Sequence, residues 1–247
     1  MIERIGLGIG ACALLAGLAA CGGGGSPDTA EGAYQGTTNA GYAFEAVVLD
    51  DGSIWGLYGI YSGSAIEVAG FIAGAGSSSL GKTYSAPTIE DYGPDPAVTG
   101  SLTAQFVAGQ SFDGTITASD GTETFTGAAI PASEYDYSAP ANIADIQGSW
   151  SLSANDGSAV ALTIDAQGNL SGSSQGCSFT GTAAPRASGK NIFDTSVTYG
   201  GAPCSLPGQT VTGIGVYSAI SGTSLHQFIV AVVDPTHTHG RGYFGSR

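Results

Sequence analysis

From Gly32 onward, apolar and polar positions trade places with a period of two, and Gly, Asp, Asn or Pro breaks the pattern at short intervals. That period is the one of a strand with one buried face. Residues 42–49 form such a run, Asp50-Asp51-Gly52-Ser53 supplies a hairpin turn, and residues 54–58 resume the alternation. Further strands are expected at 32–38, 65–73, 82–86, 98–107, 112–118 and 123–129, with Asp120-Gly121 turning between the last two. The count is about eight, the size of a small closed up-and-down barrel.

The pattern restarts at Gly148-Ser149-Trp150. Residues 159–164 and 169–172 flank a turn at 165–168, and further runs follow at 177–183, 192–199, 210–217, 225–233 and 240–244. This is again about eight strands, and no stretch carries a long helical period. The expected fold is all-β, with two similar antiparallel up-and-down β-barrel-like domains of about eight strands each. One large β-sandwich or barrel is the alternative.

Two local matches link the halves. Gly32-Ala33-Tyr34 resembles Gly148-Ser149-Trp150, and Asp51-Gly52 and Gln167-Gly168 then occupy comparable turns. Phe125-Thr126-Gly127 resembles Phe179-Thr180-Gly181, and implies a different register. Between the halves, residues 131–147 carry Pro131 and Pro140 and little periodicity, as a linker or a long crossover would. Its Tyr135 and Tyr137 have the area to pack on a barrel end and fix an inter-domain angle.

Ahead of residue 32 the pattern is of another kind. A short start with one basic residue, Arg4, precedes an apolar run at residues 5–20, too short for a membrane span and built like a secretory signal. It ends in Leu18-Ala19-Ala20-Cys21, which resembles the lipobox of bacterial lipoproteins. The resemblance implies lipidation of the Cys21 thiol, cleavage before it and acylation of the new amine. The Gly-, Ser- and Pro-rich residues that follow read as a tether. The expected organisation is a signal at 1–20, a tether at 21–31, β domains at 32–130 and 148–247, and the linker at 131–147. Gly22, rather than Asp, follows the cysteine, and by the same resemblance this favours the outer membrane over the inner.

Composition narrows the partners. Charged residues are only 11% of 247, and the formal net charge is −14, from 20 acids and 6 bases. A chain so acidic is repelled by phosphate backbones, which excludes nucleic acid as a natural partner. With Cys12 in the signal and Cys21 lipidated, Cys177 and Cys204 remain, and an even pair in an exported chain predicts a disulfide.

Chemistry-bearing motifs are sparse. His237-Thr238-His239 would place both imidazoles on one face if the segment were a strand, a weak metal candidate without a third ligand. A polar turn before the last strand, helped by Asp234-Pro235, is the favoured account. There is no G-x-S-x-G elbow, and no cofactor is expected. Trp55, Tyr58 and Tyr61 make an aromatic-rich stretch, either core or binding aromatics.

Beyond the lipobox, the segments at 181–191 and 200–210 resemble those of β-rich lipoproteins of Gram-negative bacteria, a resemblance that brings no activity with it. The two-barrel layout resembles, more loosely, lipoproteins that bind host proteins at the cell surface. The function expected is therefore a membrane-anchored envelope lipoprotein, non-catalytic, displaying β domains for structural or protein contacts. A lipocalin-like carrier of a small apolar ligand is the alternative, and a hydrolytic enzyme comes third. The first reading requires filled barrels, and a ligand-sized cavity counts against it.

Overall fold

The computed structural model describes residues 29–62, 65–119 and 121–247, with the backbone alone at 61, 62, 65 and 66. Cys21, its lipobox and most of the tether lie outside the described residues. The first closed barrel comprises β1 (Gly32–Thr38), β2 (Ala43–Val48), β3 (Ile54–Ser62), β4 (Ala65–Ser78), β5 (Thr83–Asp91), β6 (Val98–Val107), β7 (Ser111–Ala118) and β8 (Gly121–Ala129). A short helix, α1 (Ile143–Ile146), precedes the second barrel. That barrel is β9 (Gly148–Ala154), β10 (Ala159–Ile164), β11 (Asn169–Ser174), β12 (Cys177–Pro185), β13 (Phe193–Tyr199), β14 (Thr210–Ala219), β15 (His226–Val233) and β16 (Gly240–Ser246). Within each barrel every strand pairs antiparallel with the next, and β1 closes on β8 as β9 closes on β16. Closure leaves no unpaired sheet edge among the described strands.

The second barrel follows its alternation closely. Trp150, Leu152 and Ala154 of β9 and Val160, Leu162 and Ile164 of β10 point inward, with Ser, Thr and Ala between them facing out. Phe179, Phe193 and Phe228 fill the remaining interior. One end is sealed by α1: Trp150 Nε1 donates to the Ile146 carbonyl at 2.7 Å, and the Arg247 guanidinium lies 3.9 Å over the indole. At the other end the Cys177–Cys204 disulfide ties the start of β12 to the β13–β14 loop.

The barrels are built to one register. Tyr34 Oη donates to the Ala30 carbonyl, four residues back, as Trp150 does to Ile146. Gly52 and Gly168 both sit between the second and third strands of their barrels, at φ 83° and 81°. In each, a β carbon would stand within 2.3 Å of a carbonyl oxygen of the fourth strand, Gly76 or Ala183. Both glycines are therefore required by conformation and by space. Phe125 and Phe179, by contrast, fall on the last strand and on a fourth strand, so that match is not one of equivalent positions.

The first barrel departs from the expected lengths at β4 and β5. The bulges at Ala75/Ser77 and Ala86/Ile89 let both strands run on, and β5 carries Pro87 through the second irregularity. A proline is tolerated where the ladder is already interrupted.

Side by side, the barrels share an apolar seam. β2 is buried on both faces: Ala46 and Val48 look into the first barrel, while Val47 packs outward with Leu49, Ile192 and Ile214. Tyr135 and Tyr137 fill the same cluster, so residues 131–147 are docked along their length rather than free. Farther along, Phe71 stacks between Trp55 and Tyr92, against Ala231 and Val233 of β15. Arg186 pins one end of the seam, reaching Asp50, Asp51 and Asp194 at 2.6, 2.7 and 2.7 Å.

Candidate ligand-binding cavity

One end of the first barrel is a floor. Tyr34 stacks on Phe112 with ring centres 5.1 Å apart, and Tyr84 meets Phe112 edge-on at 5.5 Å. The entering chain completes the seal: Ala30 is fully buried and its N–H donates to Ser78 Oγ. Burial pushes the Tyr34 phenol up to about 12, so it stays a neutral donor to the Ala30 carbonyl.

The other end is a mouth. Above the floor lies a cavity of about 440 Å³, bordered by the β1–β2 and β5–β6 loops and the start of β8. Small-molecule sites run to about 300–1,000 Å³, so this one is ligand-sized. It exists because inward positions that would be bulky in a packed barrel are small: Ala46, Gly56, Gly100, Ala118 and Gly121. Phe44, Ile54, Leu102 and Phe125 form apolar walls below them. The corresponding space in the second barrel is about 20 Å³, closed by Leu152, Phe179, Phe228 and Tyr243.

The rim is polar and acidic. Tyr58 Oη donates to Asp91 Oδ1 at 2.6 Å, and the Gly93 N–H donates to the same oxygen at 2.8 Å. The phenol fits because Gly70 and Gly93 lack side chains: a β carbon there would stand 2.6 or 2.2 Å from Tyr58 Oη. Burial, reinforced by Asp91, raises the Tyr58 pKa and keeps the group protonated. Tyr42 meets Tyr58 edge-on at 5.6 Å. Glu123 shares the inward face of β8 with Phe125, and its Oε1 is buried without a hydrogen-bond partner. Asp91 and Glu123 are the charged residues among those lining the cavity; no Lys, Arg or His is among them.

The three aromatics singled out in the sequence part company. Tyr58 faces the cavity, whereas Trp55 points outward into the inter-barrel seam. The Tyr61 side chain lies outside the described residues. His237 and His239 are not on a strand: they lie in the turn before β16, where His237 has φ 57° and His239 Nδ1 sits 2.8 Å from Asp95 Oδ1. No group of three metal-ligating side chains occurs among the described residues.

No protein-family model matches the chain, and no curated protein matches it. Solved structures with a related trace include the isotype 1 transferrin binding protein B of serogroup B Neisseria meningitidis, at 12% identity and a TM-score of 0.29, over 83% of this chain and 65% of that one. Another is a protein of unknown function from the DUF3598 family of Nostoc punctiforme, at 13% identity and a TM-score of 0.25, over 89% of this chain and 94% of that one. A mutant transferrin binding protein B from Haemophilus parasuis has 10% identity and a TM-score of 0.28, over 84% of this chain and 51% of that one. The chain thus spans less than two thirds of either transferrin binding protein. Likenesses this distant carry no conclusion about what this chain binds.

Glu123 was not among the sequence candidates. The signal for Glu123 is the period of β8: Thr124 and Thr126 face out, so a carboxylate at 123 falls on the apolar face beside Phe125.

Proposed function

We propose that this chain is a non-catalytic, lipid-anchored envelope protein whose first barrel binds a small, mainly apolar ligand. The observation that carries the reading is the contrast between the barrels: about 440 Å³ open in the first and about 20 Å³ in the second. A purely structural role gives no reason for one core to stay open, since an unfilled core forgoes packing energy. The second barrel, whose interior is filled, serves as a rigid support along the seam. A phenol held protonated at Tyr58 suits hydrogen bonding rather than nucleophilic attack. Attachment rests on the Leu18-Ala19-Ala20-Cys21 resemblance, which supports lipidation at Cys21 and an outer-membrane location.

The test of binding is uptake of N-phenyl-1-naphthylamine, whose fluorescence rises in an apolar site. The expected result is saturable uptake by the wild type, lost in Ala118→Phe with an unchanged circular dichroism spectrum. No uptake by the wild type, or undiminished uptake by the variant, would overturn it. For the anchor, a palmitate analogue should label the wild type and not Cys21→Ala; label on the variant would sink that part alone.

A further inference from the structure

We propose that the cavity selects ligands whose apolar body carries a protonated amine, held at the rim by Glu123. The inference rests on the ligand-binding reading above and adds the chemistry of the head group.

Three observations converge. The buried Glu123 Oε1 has no partner in the protein, although its carbon neighbours on the inward face are apolar. A buried carboxylate oxygen left without a donor is costly, and turning the carboxylate of this cavity-lining residue toward a ligand donor removes that cost. The donor is not supplied from nearby, because Tyr58 spends its hydroxyl hydrogen on Asp91. Second, the charged residues lining the cavity are both acids, in a chain of formal charge −14. A carboxylate or phosphate head would enter against that field, whereas an ammonium head would enter with it. Third, Tyr42 and Tyr58 line the cavity in edge-to-face contact, and aromatic rings attract a cation. The apolar walls below, Phe44, Phe125 and Leu102, then take a hydrocarbon body.

The experiment displaces bound N-phenyl-1-naphthylamine with dodecylamine, dodecanol or dodecanoate at neutral pH, each below its micelle concentration. The expected order is amine, then alcohol, then carboxylate. Dodecylamine should act at about tenfold lower concentration than dodecanoate, the size of one charge-assisted hydrogen bond. Glu123→Gln should shrink that ratio severalfold, each variant's displacement being referred to its own probe affinity, while Asp91 keeps part of the preference. If dodecanoate displaces as well as dodecylamine does, or if Glu123→Gln leaves the ratio unchanged, the head-group assignment is overturned while probe uptake stands. If the probe never binds, the ligand-binding reading falls and this inference with it. The wild-type order alone decides the case should Glu123→Gln not fold.

Discussion

Phe71 of the first barrel lies directly on Gly240 of the second: a β carbon at Gly240 would stand 2.7 Å from Phe71 Cζ and 2.5 Å from Tyr92 Cδ1. The contact is between a ring that is 1% exposed and bare backbone, so neither side has room to give. Phe71→Ala should cost about 3–5 kcal/mol, as for other buried aromatics. Gly240→Ala should cost about 1–3 kcal/mol by overpacking. Both changes weaken the seam and not a core, so urea unfolding should change from one transition to two. A single transition shifted without broadening would mean that the barrels do not unfold separately.

Arg186 leaves three carboxylates facing one another when it is removed. Its partners are half exposed, which screens the pairs, so Arg186→Met should cost about 1–2 kcal/mol at neutral pH. Partial burial pushes the Asp51 carboxyl up, but Ser53 and Arg186 outweigh it and hold the pKa below its usual value. A lowered folded pKa contributes stability above the ordinary carboxylate range and loses it as pH falls through the folded value. The gap in melting temperature between wild type and variant should therefore narrow in acid.

Glu45 works in the opposite sense. Burial in the seam pushes its pKa up; the Gln227 amide offsets part of this and Glu134 adds to it. A raised carboxylate pKa means that the folded state binds the proton more tightly. The penalty is absent below the unfolded pKa, grows as pH rises and is complete above the folded pKa. Glu45→Gln should melt higher than wild type at neutral pH and equal to it in acid, by calorimetry across that range.

The disulfide spans 27 residues, and loop closure of that length is worth about 3–4 kcal/mol. Cys177→Ala/Cys204→Ala should lose about that much in urea unfolding. The bridge lies in the second barrel, so uptake of the fluorescent probe by the folded variant should match the wild type.

The fold class was legible in the sequence because strands such as β9 and β10 have one wet face and alternate without a break. The seam was harder. A strand buried on both faces loses its period, and β2 and the Phe228–Val233 part of β15 are such runs. Their continuity marks a second covered surface without naming what covers it. The cavity was less legible still, since Ala46, Gly56 and Gly100 look like ordinary strand residues until their side chains share one interior. Trp55 and Tyr58 differ by an odd number of positions and so had to face opposite ways. Which of them faced the interior depended on closure of the ring.

The chain enters the first barrel through its sealed end, past the buried Ala30. That gives the molecule a polarity. An anchor of the kind proposed above, ahead of Ala30, would pull on the floor, while the opening lies at the far end of the barrel. On that reading, holding the protein and filling it use opposite poles of the same barrel.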